Sequence, residues 1–172
     1  LISLKPEHIS TYSLMIDDNT LLGISNPYRL DDELDAKMYD YICKKLKNKG
    51  YKHYEISNFA LPNYESKHNL RYWHNEEYYG FGLGASGYTL GLRYDNTKSL
   101  TKYLEGITRV NSNLVSKREM MENELMLGLR KIKGINLEDF YKKYNVNIQE
   151  EFPVEKLLKS KDLVYKKGYL YI

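Results

Sequence analysis

The first sixty residues carry hydrophobic patterns typical of two strands separated by a helix. Residues 6–16 are mainly apolar and end in turn-forming acids, which predicts a strand, and residues 19–29 follow as a predicted loop. Residues 31–49 predict a helix, because apolar side chains share one face, acids begin the segment and lysines end it. Residues 51–59 return to a strand pattern. Strand, helix and strand in this order predict parallel pairing within an α/β layer.

Shorter elements are predicted in the middle of the chain. Residues 67–79 have an ambiguous pattern that predicts turns with a short helix. Residues 88–94 predict one strand and residues 98–106 a short helix. Residues 111–115 are interpreted as a connector to the segment that follows.

The last sixty residues predict three helices and a hairpin. Ser116 and Glu119 form a capping-box pattern, in which each side chain satisfies a backbone N–H, and open a helix to about Lys133. The later elements are a helix capped by Asn136, a short helix over 152–159, and strands over 163–165 and 169–172. This order is the outline of a small winged-helix-like lobe.

Composition restricts the class of protein. At 172 residues the chain can bury one hydrophobic core with a small satellite lobe. No run reaches the roughly 18 apolar residues that a membrane span needs. The single cysteine, Cys43, excludes a disulfide framework and a cysteine-ligated cluster within these residues, and favours a reducing compartment such as the cytoplasm. The net charge of +3 is too small to indicate nucleic-acid binding.

Residues 51–96 hold most of the candidate chemistry, including three of the four histidines and the single tryptophan. Gly82, Gly84 and Gly87 match the spacing of a dinucleotide-binding fingerprint, but no buried strand precedes them and no helix follows. Together with Gly80, these glycines indicate a backbone segment that approaches another group closely. Residue chemistry leaves open whether that is a ligand or a neighbouring strand in a bent sheet.

A second candidate is the segment from His68 to His74, which combines two imidazoles with Tyr72 and Trp73. Imidazole can bind iron, and flat aromatic rings can stack on a macrocycle. Zinc is disfavoured, because no carboxylate or cysteine lies at ligand spacing. Taken alone, His68 is more often a hydrogen-bonded structural residue than a ligand.

Three blocks give the sequence a family resemblance. They are PEHISTYSLMIDDNT, YEISNFALPNYESKHNLRYWHNEEYYGFGLGASGY and ENELMLGLRKIKGI, in this order. Together they resemble the HemW family of radical S-adenosylmethionine proteins, which are related to oxygen-independent coproporphyrinogen III oxidase. The resemblance covers nearly the whole chain and is weakest in the C-terminal lobe.

The resemblance implies the C-terminal portion of a longer protein with an α/β fold. Residues 1–110 would be the end of an incomplete radical S-adenosylmethionine (β/α) barrel with the HNxxYW and glycine-rich region, and residues 111–172 a helical, winged-helix-like domain. The CxxxCxxC loop that binds the family's [4Fe–4S] cluster would lie in a missing N-terminal half. We therefore expect neither catalytic residues nor a metal site other than haem in this chain, and no activity from it alone.

Site residues follow from the same resemblance. The HNxxYW positions, associated with haem in HemW proteins, are His68, Asn69, Tyr72 and Trp73. The positions that would line the S-adenosylmethionine pocket are Leu70, Arg71, Gly84, Ala85 and Ser86. One departure is Asp17, which stands where relatives usually carry Glu, so its role is in doubt.

The sequence suggests three alternative functions. The resemblance implies a cytoplasmic haem chaperone that binds haem or porphyrin and delivers it to acceptor proteins. Within the family the alternative is a true coproporphyrinogen III oxidase, although HNLRYW favours the chaperone. From another class, a nucleic-acid-binding module is suggested by lysines of the C-terminal lobe, but interspersed acids disfavour it.

Overall fold

The structure, a computed structural model, describes residues 1–25 and 30–172. They form two compact units, Leu1–Glu65 and Ser66–Ile172. Part of the predicted loop over 19–29 lies outside the described residues. The predicted boundary between residues 110 and 111 stays a prediction.

The first unit is a three-stranded sheet with a long helix. After a short 3-10 helix at Ile2–Leu4, its elements are β1 (His8–Ser10), α1 (Leu21–Ile24), α2 (Asp32–Lys47), β2 (Lys52–Glu55) and β3 (Asn58–Ala60). The order in the sheet is β1-β3-β2, and both pairings are antiparallel. The predicted parallel pairing is therefore wrong. The chain reverses directly after β2, so β3 forms a hairpin and occupies the place between the two strands that were expected to pair.

The long helix of this unit, α2, is confirmed. Asp31 accepts a hydrogen bond from the backbone N–H of Leu34 at 3.3 Å, which satisfies a donor in the first turn. The buried core of the first unit consists of Ile9, Leu46, Tyr51 and Phe59. Most of the apolar face of the helix is uncovered, since the side chains of Leu34, Met38 and Tyr41 are 45%, 48% and 64% exposed.

The second unit begins with a short helix and an antiparallel sheet. Its first elements are α3 (Lys67–Trp73), β4 (Ser86–Thr89), β5 (Leu92–Asn96), α4 (Leu100–Leu104) and β6 (Arg109–Leu114). The sheet order is β4-β5-β6. The single strand predicted over 88–94 is wrong, because Leu90 and Gly91 turn the chain with φ of 52° and 73°. The connector predicted over 111–115 is also wrong, because most of it belongs to β6, which pairs with β5.

The remaining elements form the predicted lobe. They are α5 (Lys117–Gly128), β7 (Ile135–Asn136), α6 (Leu137–Tyr144), α7 (Ile148–Glu151), α8 (Val154–Ser160), β8 (Val164–Lys166) and β9 (Tyr169–Tyr171). The capping box at Ser116, the cap at Asn136 and the final hairpin are confirmed. Helix α5 ends at Gly128 rather than near Lys133, because Gly128 packs against Ile135 and residues 129–134 turn back toward the sheet.

Apolar residues of these helices and strands form one core. Its buried members are Met121, Ile135, Phe140, Tyr144, Ile148, Val154, Leu163 and Leu170. This core holds α5 and α6 side by side and fixes the polar side chains that they carry. No helix in the described parts of the chain is long and apolar enough to cross a membrane.

Candidate functional site

The predicted haem-motif residues lie together on α3. Ser66 caps this helix, and its hydroxyl accepts a hydrogen bond from the backbone N–H of Asn69 at 3.2 Å. His74 follows the last turn, where its N–H donates to the carbonyl of Leu70 at 2.9 Å. The local sequence therefore fixes both ends of a helix of seven residues.

His68 is on an accessible face of this helix. Its side chain is exposed and its ring meets Tyr72, one turn later, edge to face with centroids 4.8 Å apart. Tyr72 in turn contacts the ring of Tyr78, at 4.5 Å between centroids. The result is an accessible imidazole supported by two phenol rings.

Trp73 lies on another face of α3. Trp73 is five positions after His68, which places the two side chains about 140° apart around the helix. The guanidinium of Arg130 lies over the indole, 5.3 Å from its centroid. The indole Nε1 is buried and, among the described residues, has no hydrogen-bond partner. The structure thus brings His68 and Tyr72 together but separates Trp73 from them.

The other predicted positions of α3 have structural contacts. Arg71 donates from Nη1 to the carbonyl of Glu77 at 3.1 Å and lies 3.4 Å from a carboxylate oxygen of Glu76. Asn69 and Leu70 are half-buried. Arg71 is exposed, so its guanidinium holds the chain that leaves the helix while part of it faces solvent.

The glycine-rich turn satisfies most of its polar groups internally. Gly84 donates its N–H to the carbonyl of Thr97 at 2.8 Å, and Ala85 donates to Gly82 at 3.4 Å. The hydroxyl of Ser86 donates to Asp95 at 2.6 Å. These bonds connect the turn to β5 and to the residue after it. They leave fewer donors for a ligand than the sequence pattern suggests.

Asn96 organises this turn and was not singled out from the sequence. It is only 8% exposed, and its amide donates to the carbonyls of Gly80 at 3.2 Å and Gly82 at 2.8 Å. Its own N–H donates to the carbonyl of Ala85. No local pattern marks it, because its partners lie 11 to 16 residues earlier.

Close packing accounts for two of the glycines. A Cβ at Gly87 would overlap the ring of Tyr94, and a Cβ at Gly80 would overlap the backbone of Ser86. Gly82 and Gly84 have φ of 93° and 68°, which disfavours other residues. Of the two interpretations left open by the sequence, the bend packed within a sheet has direct structural support.

A partly buried polar cluster joins the end of α3 to α5 and α6. Glu124 accepts from the ammonium of Lys143 at 2.5 Å and from the hydroxyl of Tyr144 at 3.1 Å. Burial, followed by the nearby Glu124 carboxylate, raises the pKa of Tyr144 well above its usual range. Lys143 also donates to the carbonyls of His74 and Asn75. Sequence reasoning missed this cluster, because its members are up to 69 residues apart.

The remaining histidines and the cysteine contribute to packing and hydrogen bonding within the first unit. His8 shares a hydrogen bond of 2.8 Å with the hydroxyl of Tyr54, and His53 stacks on Phe59 with centroids 4.4 Å apart. Cys43 is half-buried against the core of the first unit, and burial raises the pKa of its thiol. Within the described residues, no group of three His, Cys, Asp or Glu is placed to hold a metal ion.

Comparison with known proteins identifies the class of this chain. Residues 115–170 match the HemN C-terminal domain family. A solved structure of coproporphyrinogen III oxidase (HemN) from Escherichia coli, described as a radical SAM enzyme, superposes with a TM-score of 0.75 over 99% of this chain and 45% of that chain. At 12% sequence identity this similarity shows the fold alone. The predicted mixed α/β class is confirmed.

Curated relatives then give the family. The chain is 42% identical to "Heme chaperone HemW" of Lactococcus lactis over 87% of its own length and 41% of that protein. It is 38% identical to "Heme chaperone HemW" of Bacillus subtilis over 95% of its own length and 46% of that protein. The chain belongs to the HemW-like family. It spans less than half the length of these two relatives.

Proposed function

We propose that this chain supplies the haem-facing surface of a haem chaperone. Its relatives are named as haem chaperones, and the accessible imidazole of His68 supports the proposal from within the chain. In this scheme the chain acts together with an upstream half of the kind that its longer relatives have. The protein would work in the cytoplasm, receive haem or a related porphyrin and transfer it to acceptor proteins.

The donor chemistry at α3 fits haem. A neutral imidazole is a common axial ligand of haem iron, and the ring of His68 is exposed rather than consumed by a buried hydrogen bond. Tyr72 contacts that ring edge to face and limits its rotation, and Tyr78 supports Tyr72. His68 would thus hold the iron while the tyrosines orient the imidazole. Asn69 and Trp73 would act indirectly, by fixing the helix.

The fit to the other implied cofactors is weaker. A [4Fe–4S] cluster needs three thiolates, and Cys43 is the single cysteine of the chain. Leu70, Arg71, Gly84, Ala85 and Ser86 stay predictions for S-adenosylmethionine. The N–H groups of Gly84 and Ala85 and the hydroxyl of Ser86 already have acceptors, so a bound cofactor would rely on other groups of the turn.

A coproporphyrinogen III oxidase is the less supported alternative. The match to that enzyme concerns the fold, whereas the relatives of 30% identity and above that carry the chaperone name concern the sequence itself. The two activities separate by product: an oxidase releases CO₂ from propionate side chains, whereas a chaperone returns haem unchanged. Analysis of the porphyrin recovered from the longer polypeptide distinguishes them.

Haem titration of histidine variants tests the role of His68. We expect wild-type protein to give the Soret band of histidine-ligated haem, and His68→Ala to lose that band because its iron ligand is removed. Lys67→Ala, an exposed neighbour in the same turn, is the matched control and keeps the wild-type spectrum. Loss of the band in His74→Ala but not in His68→Ala would move the ligand to the other end of α3 and contradict the assignment.

A further inference from the structure

The second unit contains a cavity of about 450 Å³ that the proposed function does not use. Its walls come from the end of α3, from α5 and α6, and from the turn that leads to β7. A volume of this size falls in the range of small-molecule sites in proteins. The cavity is assembled from residues that are distant in sequence, so no motif predicts it.

Three lysines line this cavity, but its carboxylates are largely engaged. Glu124 is bonded to Lys143 and Tyr144, as described above. Glu76, a second lining carboxylate, has an oxygen 3.4 Å from the guanidinium of Arg71. Glu124 and Glu76 therefore pair with Lys143 and Arg71. Asp139, the third lining carboxylate, is exposed and, like Glu124, acts on Lys131 only from a distance.

Lys131 is the cation left without a partner. In the described part of the chain no carboxylate lies within 4.0 Å of its ammonium, although the side chain is half-buried. Burial, as the largest cause, lowers the pKa of Lys131. Lys133 differs, because its ammonium lies 4.5 Å from the centroid of the Tyr169 ring. A half-buried ammonium that no carboxylate contacts directly is stabilised when an anion approaches it.

Part of the cavity wall is apolar. Ile135 and Phe140 line it and are 3% and 2% exposed, because both also belong to the core. Gly134 also lines the cavity, and a Cβ there would overlap the backbone of Leu170 in β9. An apolar surface beside an ammonium without a direct ion pair complements a molecule with a hydrocarbon body and one anionic end. Inorganic ions would contact the ammonium but gain nothing from the apolar wall.

We infer that this cavity binds an organic carboxylate, with Lys131 facing the carboxylate and Phe140 and Ile135 facing its hydrocarbon part. The inference does not rest on the haem function. The carboxylate has two possible sources with the same chemistry, a free organic acid and the propionate side chain of a bound porphyrin. The experiments below separate these sources.

Binding of 3-phenylpropionate to the full chain, followed by NMR at constant ionic strength, is the first test. We expect Lys131→Met to weaken binding by about tenfold or more, the usual effect of losing a charged hydrogen-bond partner. Lys131→Arg keeps the charge and should restore most of the affinity. Lys156→Met, which removes an exposed lysine outside the cavity, should bind like the wild type.

Three results would overturn the inference. They are equal binding of 3-phenylpropionate by wild type and Lys131→Met, equal binding of the acid and its uncharged amide, and tighter binding of inorganic phosphate than of the acid.

Stability without ligand separates a binding residue from a structural one. If Lys131 is an uncompensated cation, Lys131→Met should melt at the same temperature as the wild type or higher, whereas removal of a structural ion pair would lower the melting temperature. A lower melting temperature for Lys131→Met, with Lys156→Met unchanged, would contradict the absence of a partner for Lys131.

Comparison of haem with haem dimethyl ester identifies the source of the carboxylate. If the source is a porphyrin, Lys131→Met weakens the binding of haem but not of its ester. If the source is a free acid, Lys131→Met leaves haem affinity unchanged and still loses 3-phenylpropionate. Failure of all haem binding would remove the proposed chaperone role and leave the 3-phenylpropionate result standing.

Discussion

Helix α3 and the glycine-rich turn over 80–87 look equally functional in the sequence, but their polar groups have different surroundings. On α3, His68 keeps an exposed imidazole whose neighbours contact it through ring edges. In the turn, the groups of Gly84, Ala85 and Ser86 that could hold a ligand are bonded within the protein. Unusual composition therefore marks a constrained segment, and only its hydrogen-bond partners show whether a ligand or the fold imposes the constraint.

The largest effect that separates these regions is expected at Gly87. Gly87→Ala should lower the free energy of unfolding by about 2–3 kcal/mol, because the new Cβ overlaps the buried ring of Tyr94. Urea denaturation measures the change. Gly106→Ala is the contrasting control: Gly106 has a positive φ but open space around it, so about 1 kcal/mol is expected from the backbone alone. Equal losses of unfolding free energy in the two variants would mean that close packing against Tyr94 is not what requires glycine at position 87.

A somewhat smaller effect is expected at Asn96, which bonds to the turn through its side chain. Asn96→Ala removes donors to the carbonyls of Gly80 and Gly82 and should cost about 1–3 kcal/mol of unfolding free energy. Asn111→Ala, on exposed β6, should change stability by less than about 0.5 kcal/mol. If the turn has a structural role, haem affinity at a temperature where both variants are folded should equal that of the wild type. A selective loss of haem affinity in Asn96→Ala would instead assign the turn to the haem site.

The smallest effect is expected at Ser86, the exposed end of the turn. Ser86→Ala removes one hydrogen bond to Asp95 at the surface, which should change the unfolding free energy by less than about 1 kcal/mol. Chemical denaturation of Ser86→Ala beside Asp95→Ala checks this value, since both variants remove the same bond. If S-adenosylmethionine affinity of the longer polypeptide falls in Ser86→Ala while stability is unchanged, the turn carries the cofactor role that the resemblance implies.

Local signals in the sequence predicted much of the fold. Helix starts were found where a side chain satisfies the first backbone donors, as at Asp31, Ser116 and Asn136. The last hairpin was predicted from two short strand patterns, and Lys167 and Gly168 form the turn between them. These features depend on neighbours within a few residues, and such neighbours are visible in the sequence.

Elements that depend on distant partners were missed. β3 pairs with β1 across about fifty residues, so the insertion of β3 beside β1 could not be read from the strand–helix–strand pattern. The turn at Leu90 was also missed, because a leucine with positive φ is not a usual turn residue. The cavity around Lys131 and the hydrogen bonds of Asn96 were missed for the same reason, because each depends on residues that are distant in sequence. The motif residues of α3 could be located from the sequence, but not the separation of Trp73 from His68.

Haem affinity of the His68→Ala variant is the most direct test of the proposal that His68 on α3 binds haem iron. The dissociation constant for haem is expected to rise by at least about tenfold relative to wild type, since an iron–imidazole bond is lost, while Lys67→Ala stays at the wild-type value. Equal dissociation constants for wild type and His68→Ala would contradict the claim that the exposed face of α3 is where this protein meets haem.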